Sequence, residues 1–233
     1  MKNMKDCVLD RCKINEKCLE FLELCANSLK FLEFDDIVSS TVNHHDFFNN
    51  IEHLVINQCE ISDLLIWIIQ ITSENLIILE IDRSRCVITN QDNIKHLSFI
   101  FVKLEKVEIN MCKIDDLAKF ILEKSINLKS FTISCTHLTS LFEFNLASKV
   151  LEKINILSSN SPSWILCLLK QCPYSLKYLF LQNINFENAS LNKKFVFLKT
   201  LTVVRVQGSN FFKCLLESVS KTNVLIIQEE SFI

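Results

Sequence analysis

A recurrent spacing of apolar residues runs along this chain. In "IEHLVINQCEI", residues 51–61, apolar side chains occupy the first, fourth, sixth, ninth and eleventh places. Neither the two-residue period of a half-buried strand nor the 3.6-residue period of a helix gives this spacing over its full length. The same places are apolar in "MKDCVLDRCKI", residues 4–14, and in "LEKVEINMCKI", residues 104–114. The pattern therefore indicates a structural unit that is used more than once.

Six further segments keep part of the spacing. The first, fourth, sixth and eleventh places are apolar in 128–138 and 176–186, and the first, fourth and sixth are apolar in 29–37, 76–84, 151–159 and 198–206. Successive copies begin 22 to 28 residues apart, and a tenth, degenerate copy is expected at 224–228. Self-similarity at such a period is the sequence signature of a repeat protein.

Nine copies of an LxxLxL spacing resemble the leucine-rich repeat family over essentially the whole chain. Cys12, Cys59 and Cys112 occupy the ninth place of their copies, which is similar to the cysteine-containing and ribonuclease-inhibitor-like subclasses. Several other copies depart from this by carrying other residues there. The resemblance implies an α/β leucine-rich repeat solenoid of about 9–10 repeats, with a curved parallel β-sheet on the concave side and helices and irregular turns on the convex side. It also implies a single domain over residues 1–233.

The spacing has a direct physical explanation. The fourth and sixth residues of a copy lie on one face of a short strand and point into the core, and consecutive strands stack in parallel about 4.8 Å apart. Strands are therefore predicted at 54–56, 79–81, 107–109, 131–133, 154–156, 179–181 and 201–203. Their inward residues should be almost fully buried, among them Leu54, Ile56, Val107, Ile109, Leu179 and Leu181.

The longer segments between these strands predict helices. Helices are expected in 62–75, 115–125, 161–173 and 209–220. Ser62 suits an N-cap, Pro162 suits a first helical position, and Pro173 suits a helix end. The returns of the copies that begin at residues 29 and 176 are less regular, and short turns or 3₁₀ segments are expected there.

Composition removes whole classes of function. Glycine occurs once, at Gly208, so a glycine-rich phosphate-binding loop and a GxSxG nucleophile elbow are both excluded. A formal net charge of −2 gives no global attraction to nucleic acid or to an anionic membrane, and we predict neither as a partner. We also expect no enzyme activity and no cofactor. His53 and His137 fall in or near strands, but nothing in the sequence places a Ser or Cys beside them.

Cysteine usage indicates an intracellular protein, in the cytoplasm or the nucleus. The 11 cysteines are odd in number and no secretory signal precedes them, so we expect reduced thiols, with those at the ninth place buried and unreactive. No CxxC pair occurs, and the side chains of adjacent His44 and His45 diverge, so no metal site is predicted and an exposed turn is expected there. No apolar run is long enough to predict a membrane span.

Candidate binding residues lie on the other face of the predicted strands, at the third, fifth and seventh places. The first five copies carry seven acids and one lysine there, whereas the last four carry no acid and one pair of aromatics. An acidic stripe is not needed for folding and suits a partner with a basic surface, although a merely solvated face remains the alternative. The candidate partner-binding residues are Glu33, Asp35, Glu80, Asp82, Glu108, Tyr178 and Phe180.

We therefore expect a non-enzymatic protein–protein interaction module that binds a partner protein on its concave face. The alternative is a regulator of an enzyme system. The resemblance allows a ubiquitin-ligase substrate receptor, but the repeats begin at residue 4 and leave no room for an F-box of its own. It also allows a GTPase-activating protein, with Arg11, Arg83, Arg85 and Arg205 as candidates by position.

The ends of the predicted solenoid raise a separate expectation. Solenoids normally carry polar caps, and the first copy begins within a few residues of Met1 without an evident cap. We therefore expect apolar core residues at one or both ends to be exposed or covered by another chain, and the oligomeric state stays open.

Overall fold

The computed structural model describes ten stretches of the chain. They are residues 3–39, 48–61, 63–86, 98–112, 115–134, 145–158, 162–172, 175–184, 203–207 and 225–229. The strands are Asp6–Asp10 (β1), Lys13–Ile14 (β2), Phe31–Asp35 (β3), Val38–Ser39 (β4), His53–Asn57 (β5), Glu60–Ile61 (β6), Ile78–Asp82 (β7), Arg85–Cys86 (β8), Lys106–Asn110 (β9), Ser130–Ser134 (β10), Lys153–Leu157 (β11), Tyr178–Gln182 (β12), Val203–Gln207 (β13) and Leu225–Glu229 (β14). The helices are Glu16–Cys25 (α1), Asp63–Thr72 (α2), Asp115–Lys124 (α3) and Pro162–Gln171 (α4).

The ten five-residue strands form one open, all-parallel sheet. Its strand order is β1-β3-β5-β7-β9-β10-β11-β12-β13-β14, which is also the order along the chain. The first residue of each strand is aligned with the first residue of the next, so side chains form straight rows across the sheet. Two-residue strands pair beside the sheet, β2 with β4 and β6 with β8. The structure is thus an α/β fold that is compatible with a solenoid-like curved sheet.

Six of the seven predicted strands are confirmed, and the register predicted for the seventh is wrong. We predicted a strand at 201–203, whereas β13 runs over Val203–Gln207. Val204 and Val206, not Leu201 and Val203, are aligned with the inward Leu179 and Leu181 of β12. The segment "LKTLTVVRV" contains two overlapping LxxLxL-like spacings that start three residues apart. Periodicity alone does not choose between them.

The core lies between the sheet and the helices. The inward side chains of β5, β9 and β12 that were predicted to be buried are at most 1% exposed. On α2 the predicted helix face is buried as well, through Leu65, Ile68, Ile69 and Thr72. These apolar residues of strands and helices belong to one continuous hydrophobic cluster. Each strand is therefore stabilised by the helix layer and by its neighbouring strands.

The predicted helices at 62–75, 115–125 and 161–173 are present as α2, α3 and α4. Pro162 is the first residue of α4. The N–H of a first helical residue has no partner within the helix, so proline, which lacks this group, loses no hydrogen bond there. Helix α1, which we did not predict, begins after Asn15, whose side chain accepts a hydrogen bond from the backbone N–H of Cys18. Ser62, Pro173, His44, His45, the helix expected at 209–220 and the short returns, apart from residues 48–50, lie outside the described residues.

A left-handed turn follows seven of the long strands. The residue after the strand has a positive φ between 46° and 54° at Arg11, Asp36, Gln58, Arg83, Met111, Ser158 and Asn183. In six of these turns its backbone N–H donates to the carbonyl of the last residue of the next strand, at 2.7 to 3.0 Å. The turn thereby adds one hydrogen bond to the parallel ladder before the chain leaves the sheet.

The ninth-place side chains form a ladder beneath these turns. The Sγ of Cys59 and of Cys112 and the Oγ of Ser84 each donate to the carbonyl two residues earlier, at 2.8 to 2.9 Å. The backbone N–H of Cys59 donates to Ser84 Oγ at 3.1 Å, and that of Ser84 donates to Cys112 Sγ at 3.4 Å. Burial raises the pKa of both Cys59 and Cys112 to about 11, against weaker opposing backbone hydrogen bonds.

One cysteine prediction is wrong. Cys59 and Cys112 are buried as expected, but Cys12 is half-exposed. In the described sheet β1 is an edge strand with a neighbour on one side only, so Cys12 is less covered than its equivalents. Partial burial still raises the pKa of the Cys12 thiol.

Candidate functional site

The open face of the sheet is the face turned away from the core, and it carries the candidate residues. It is formed by the first, third and fifth side chains of each long strand, because successive side chains of a strand point to opposite faces. Within β3 to β10 these side chains are all half-buried, whereas the intervening ones are buried. Tyr178 and Phe180 lie on this face, as do the five predicted acids.

The acids at the β3 end of the open face have uncompensated charge. Glu33 and Asp35 are the third and fifth residues of β3, and they are aligned with Val8 and Asp10 of β1. Within the described stretches, neither carboxylate has a cationic side chain within ion-pair distance. Asp35 accepts a hydrogen bond from the neutral amide of Gln58 at 3.2 Å. This end of the face therefore has a negative potential.

The acids on β7 and β9 are neutralised in part by a neighbour. Lys106 Nζ lies 3.2 Å from Glu80 Oε1 and 3.0 Å from Glu108 Oε1. Partial desolvation alone would lower the pKa of Lys106, but its hydrogen bonds to Glu108 and Glu80 outweigh this and raise that pKa. His53 Nε2 lies 3.4 Å from the same Glu80 oxygen. The sequence pattern identified Glu80 and Glu108 as acids of the face, but it did not reveal this shared lysine.

Small hydroxyl side chains occupy the middle of the open face. Ser130, Thr132 and Ser134 form the whole open face of β10, and all three are half-buried. Asn155 on β11 donates through its Nδ2 to Thr132 Oγ1 at 3.1 Å. Since longer side chains stand on both neighbouring strands, β10 forms a low strip across the face. The spacing of apolar residues did not single out these three residues, although their small size is visible in the sequence.

An apolar group lies at the β12 end of the described face. Tyr178 is 45% exposed, and Phe180 follows two residues later on the same strand. Leu157 on β11 is half-buried and is aligned with Gln182, one step along the face from Phe180. On the opposite side of β12, Leu179 and Leu181 supply the core contacts. Leu179 and Leu181 therefore pack β12 against the core, and the apolar side chains on its open face are additional to them.

The arginines of the alternative interpretation lie at the carboxyl ends of the strands. Arg11 and Arg83 occupy left-handed turn positions, and their side chains are 81% and 59% exposed. Arg85 is ion-paired with Glu60. Arg205 lies within β13, not in a loop beside the sheet as the alternative requires. A shallow cavity of about 410 Å³ lies between the turn residues and this Glu60–Arg85 pair, above the ninth-place ladder.

No protein-family model matches the chain, and no curated protein matches it. In the described part of the chain, no helix is long and apolar enough to cross a membrane.

Proposed function

We propose that the chain forms a leucine-rich repeat solenoid and that its open face, on the concave side, binds a partner protein without catalysing a reaction. The repeat assignment is supported by the unshifted register of the parallel strands and by the same left-handed turn after seven of them. Hydrogen bonds between equivalent ninth-place residues of neighbouring units add to this support.

The aromatic pair of β12, with Tyr178 exposed and Phe180 half-buried on the open face, is the observation that supports binding most strongly. Tyr178 and Phe180 lie side by side on the open face, next to Leu157, while the fold uses the opposite side of the strand. Buried aromatic anchors supply much of the free energy of protein interfaces. The acidic residues supply a different contribution, because charges at the rim of an interface mainly accelerate encounter and make it sensitive to salt.

Capture from native extract tests this function. The wild-type protein and the Tyr178→Ala/Phe180→Ala variant are immobilised at equal density, and the captured proteins are quantified by mass spectrometry. We expect at least one protein to be captured by the wild type and lost from the variant. A Leu24→Ala variant provides the matched control, since Leu24 is 71% exposed but lies on α1, away from the open face.

The control variant should capture the same proteins as the wild type, and all three proteins should have the same circular dichroism spectrum. If every captured protein is held equally by the aromatic variant and the wild type, the open face is not the binding surface.

A further inference from the structure

We infer that the partner inserts an extended segment that crosses the strands of the open face, with basic side chains over β3 and apolar side chains over β11 and β12. This inference rests on the proposed function, because it specifies what the open face binds. It is supported by three regions of the face, on β3, on β10 and on β11 with β12, and by the distance between its two ends.

The basic end of the segment is placed by the distribution of uncompensated charge. Glu80 and Glu108 share Lys106, whereas Glu33 and Asp35 have no cationic neighbour in the described stretches. Beyond them, Asp6 on β1 is exposed on the same face, as is Asp10, whose Oδ1 lies 3.7 Å from Arg11 Nε. A partner's lysine or arginine therefore gains most at β3, where it does not compete with a resident cation.

The apolar end of the segment is placed by Leu157, Tyr178 and Phe180. Tyr178 is the most exposed of the three, and all stand on two adjacent strands of the open face. Apolar side chains of a partner would cover these groups and remove them from water, which is favourable in proportion to the apolar area covered.

The strip of small side chains on β10 lies between the two ends. Ser130, Thr132 and Ser134 leave room for a backbone to approach the sheet, and hydroxyls both donate and accept hydrogen bonds. An extended segment has unpaired backbone N–H and C=O groups that need such partners. A polar but uncharged strip therefore suits the part of the segment next to its apolar end, whereas β7 and β9, which also lie beneath the segment, carry Glu80, Glu108 and the lysine that they share.

The dimensions favour an extended segment over a helix. Six inter-strand steps separate β3 from β12, which is roughly 29 Å at about 4.8 Å per step. An extended chain at about 3.3 Å per residue covers this with about nine residues, whereas a helix at about 1.5 Å per residue needs about 19. Because the register of the strands is unshifted, one straight segment can follow a single row of side chains.

Two synthetic peptides test the spacing. The first has four alternating Arg and Lys residues, a spacer of five Ser and Gly residues, and Leu-Phe-Leu, which places the centres of its two blocks about nine residues apart. The second has the same composition, but four of the spacer residues are moved to its ends. Fluorescence anisotropy of the labelled peptides measures their affinity for the full-length protein. We expect the first peptide to bind at least tenfold more tightly, because only it reaches both ends of the face.

Variants of the protein test where each block of the peptide lies. Glu33→Gln/Asp35→Asn and Tyr178→Ala/Phe180→Ala should each reduce the affinity of the first peptide to that of the second. Glu20→Gln/Glu23→Gln removes the same number of charges from exposed positions on α1 and should leave both affinities unchanged.

Equal affinity of the two peptides would overturn the inference, as would an equal effect of the α1 variant. If neither peptide binds while capture from extract still depends on Tyr178 and Phe180, the partner uses a folded surface and only the proposed function survives. If capture is also independent of these aromatics, the proposed function fails as well.

Discussion

At the scale of single residues, the ninth place of three consecutive units, at Cys59, Ser84 and Cys112, combines burial with hydrogen bonding. We predicted that Cys59 and Cys112 would be buried; both thiols also donate to backbone carbonyls, and the Ser84 hydroxyl does the same between them. All three residues are at most 2% exposed. At these three places the side chain hydrogen-bonds to backbone groups beside the turn, and Ser can do this as Cys does, whereas Ile37 and Ile184 fill the ninth place of their units by apolar burial alone.

Removal of the Ser84 hydroxyl should therefore destabilise the protein. In Ser84→Ala the buried N–H of Cys59 loses its acceptor, and we expect the free energy of unfolding to fall by about 1–3 kcal/mol. Ser84→Cys introduces the residue type found at the same place in both neighbouring units. It should lower the free energy of unfolding by less than Ser84→Ala does. Urea unfolding measures both variants. A Ser84→Ala protein as stable as the wild type would show that this ladder contributes nothing to folding.

The buried thiols should make stability depend on alkaline pH. Burial raises the pKa of Cys59 and Cys112 to about 11, above the ordinary thiol value. As pH rises from 9 to 11, the unfolded chain loses these protons while the folded chain keeps them, so stability present below pH 9 is lost. The loss should be about 2 kcal/mol per thiol.

The matched variant for this pH dependence is Cys59→Ser/Cys112→Ser, whose hydroxyls can donate to the same carbonyls without titrating in this range. Urea unfolding at several pH values should give a shallower decline for the variant than for the wild type. Identical slopes would mean that other groups cause the decline.

At the scale of elements, strand positions could be predicted from the sequence because each strand needs inward apolar residues at the same spacing. Two features were not readable. A left-handed turn is usually marked by Gly or Asn. Here this position also holds Arg, Gln, Met and Ser, so no particular residue type predicts the turn. The register of β13 was misassigned because two overlapping spacings satisfy the same pattern, and only pairing with β12 distinguishes them.

The left-handed turn predicts that the Met111→Asn variant is more stable than the Met111→Val variant. This residue has a φ of 54°, and its side chain is 57% exposed, so backbone conformation outweighs side-chain packing. Met111→Asn should raise the free energy of unfolding by roughly 0.5 kcal/mol, because Asn tolerates this conformation. Met111→Val should lower it by about 1–2 kcal/mol, because a β-branched side chain does not. Thermal or urea unfolding decides the order, and a Val variant at least as stable as the Asn variant would contradict it.

At the scale of the whole molecule, the sequence placed the candidate residues on one face but did not reveal their electrostatic state. Alternation along each strand was sufficient to predict that Glu80, Glu108, Tyr178 and Phe180 share the open face. The contact of Lys106 with both glutamates depends on side-chain conformations across neighbouring strands, and a periodic pattern does not encode them. The structure therefore shifts the main negative potential towards β3.

Association kinetics should reflect this shift. Glu33→Gln/Asp35→Asn should slow association with a basic partner and flatten its dependence on salt, while dissociation changes little, because long-range attraction acts before contact. Glu80→Gln/Glu108→Gln is the comparison and should have a smaller effect, because β7 and β9 lie two and three strands away from β3, over which the basic side chains of the partner are proposed to lie. Surface plasmon resonance at several ionic strengths measures both variants. A larger effect from the β7–β9 variant would show that the acidic determinant is not on β3.

The dissociation constant of a captured partner, measured calorimetrically with the wild type and with Tyr178→Ala/Phe180→Ala, tests binding by the open face most directly. We predict that the double substitution weakens binding by about 2 kcal/mol, roughly 30-fold, while the unfolding free energy stays close to that of the wild type. An unchanged dissociation constant for a partner that saturates the wild-type protein at one site would contradict this, and would place the binding surface at an edge or an end of the sheet.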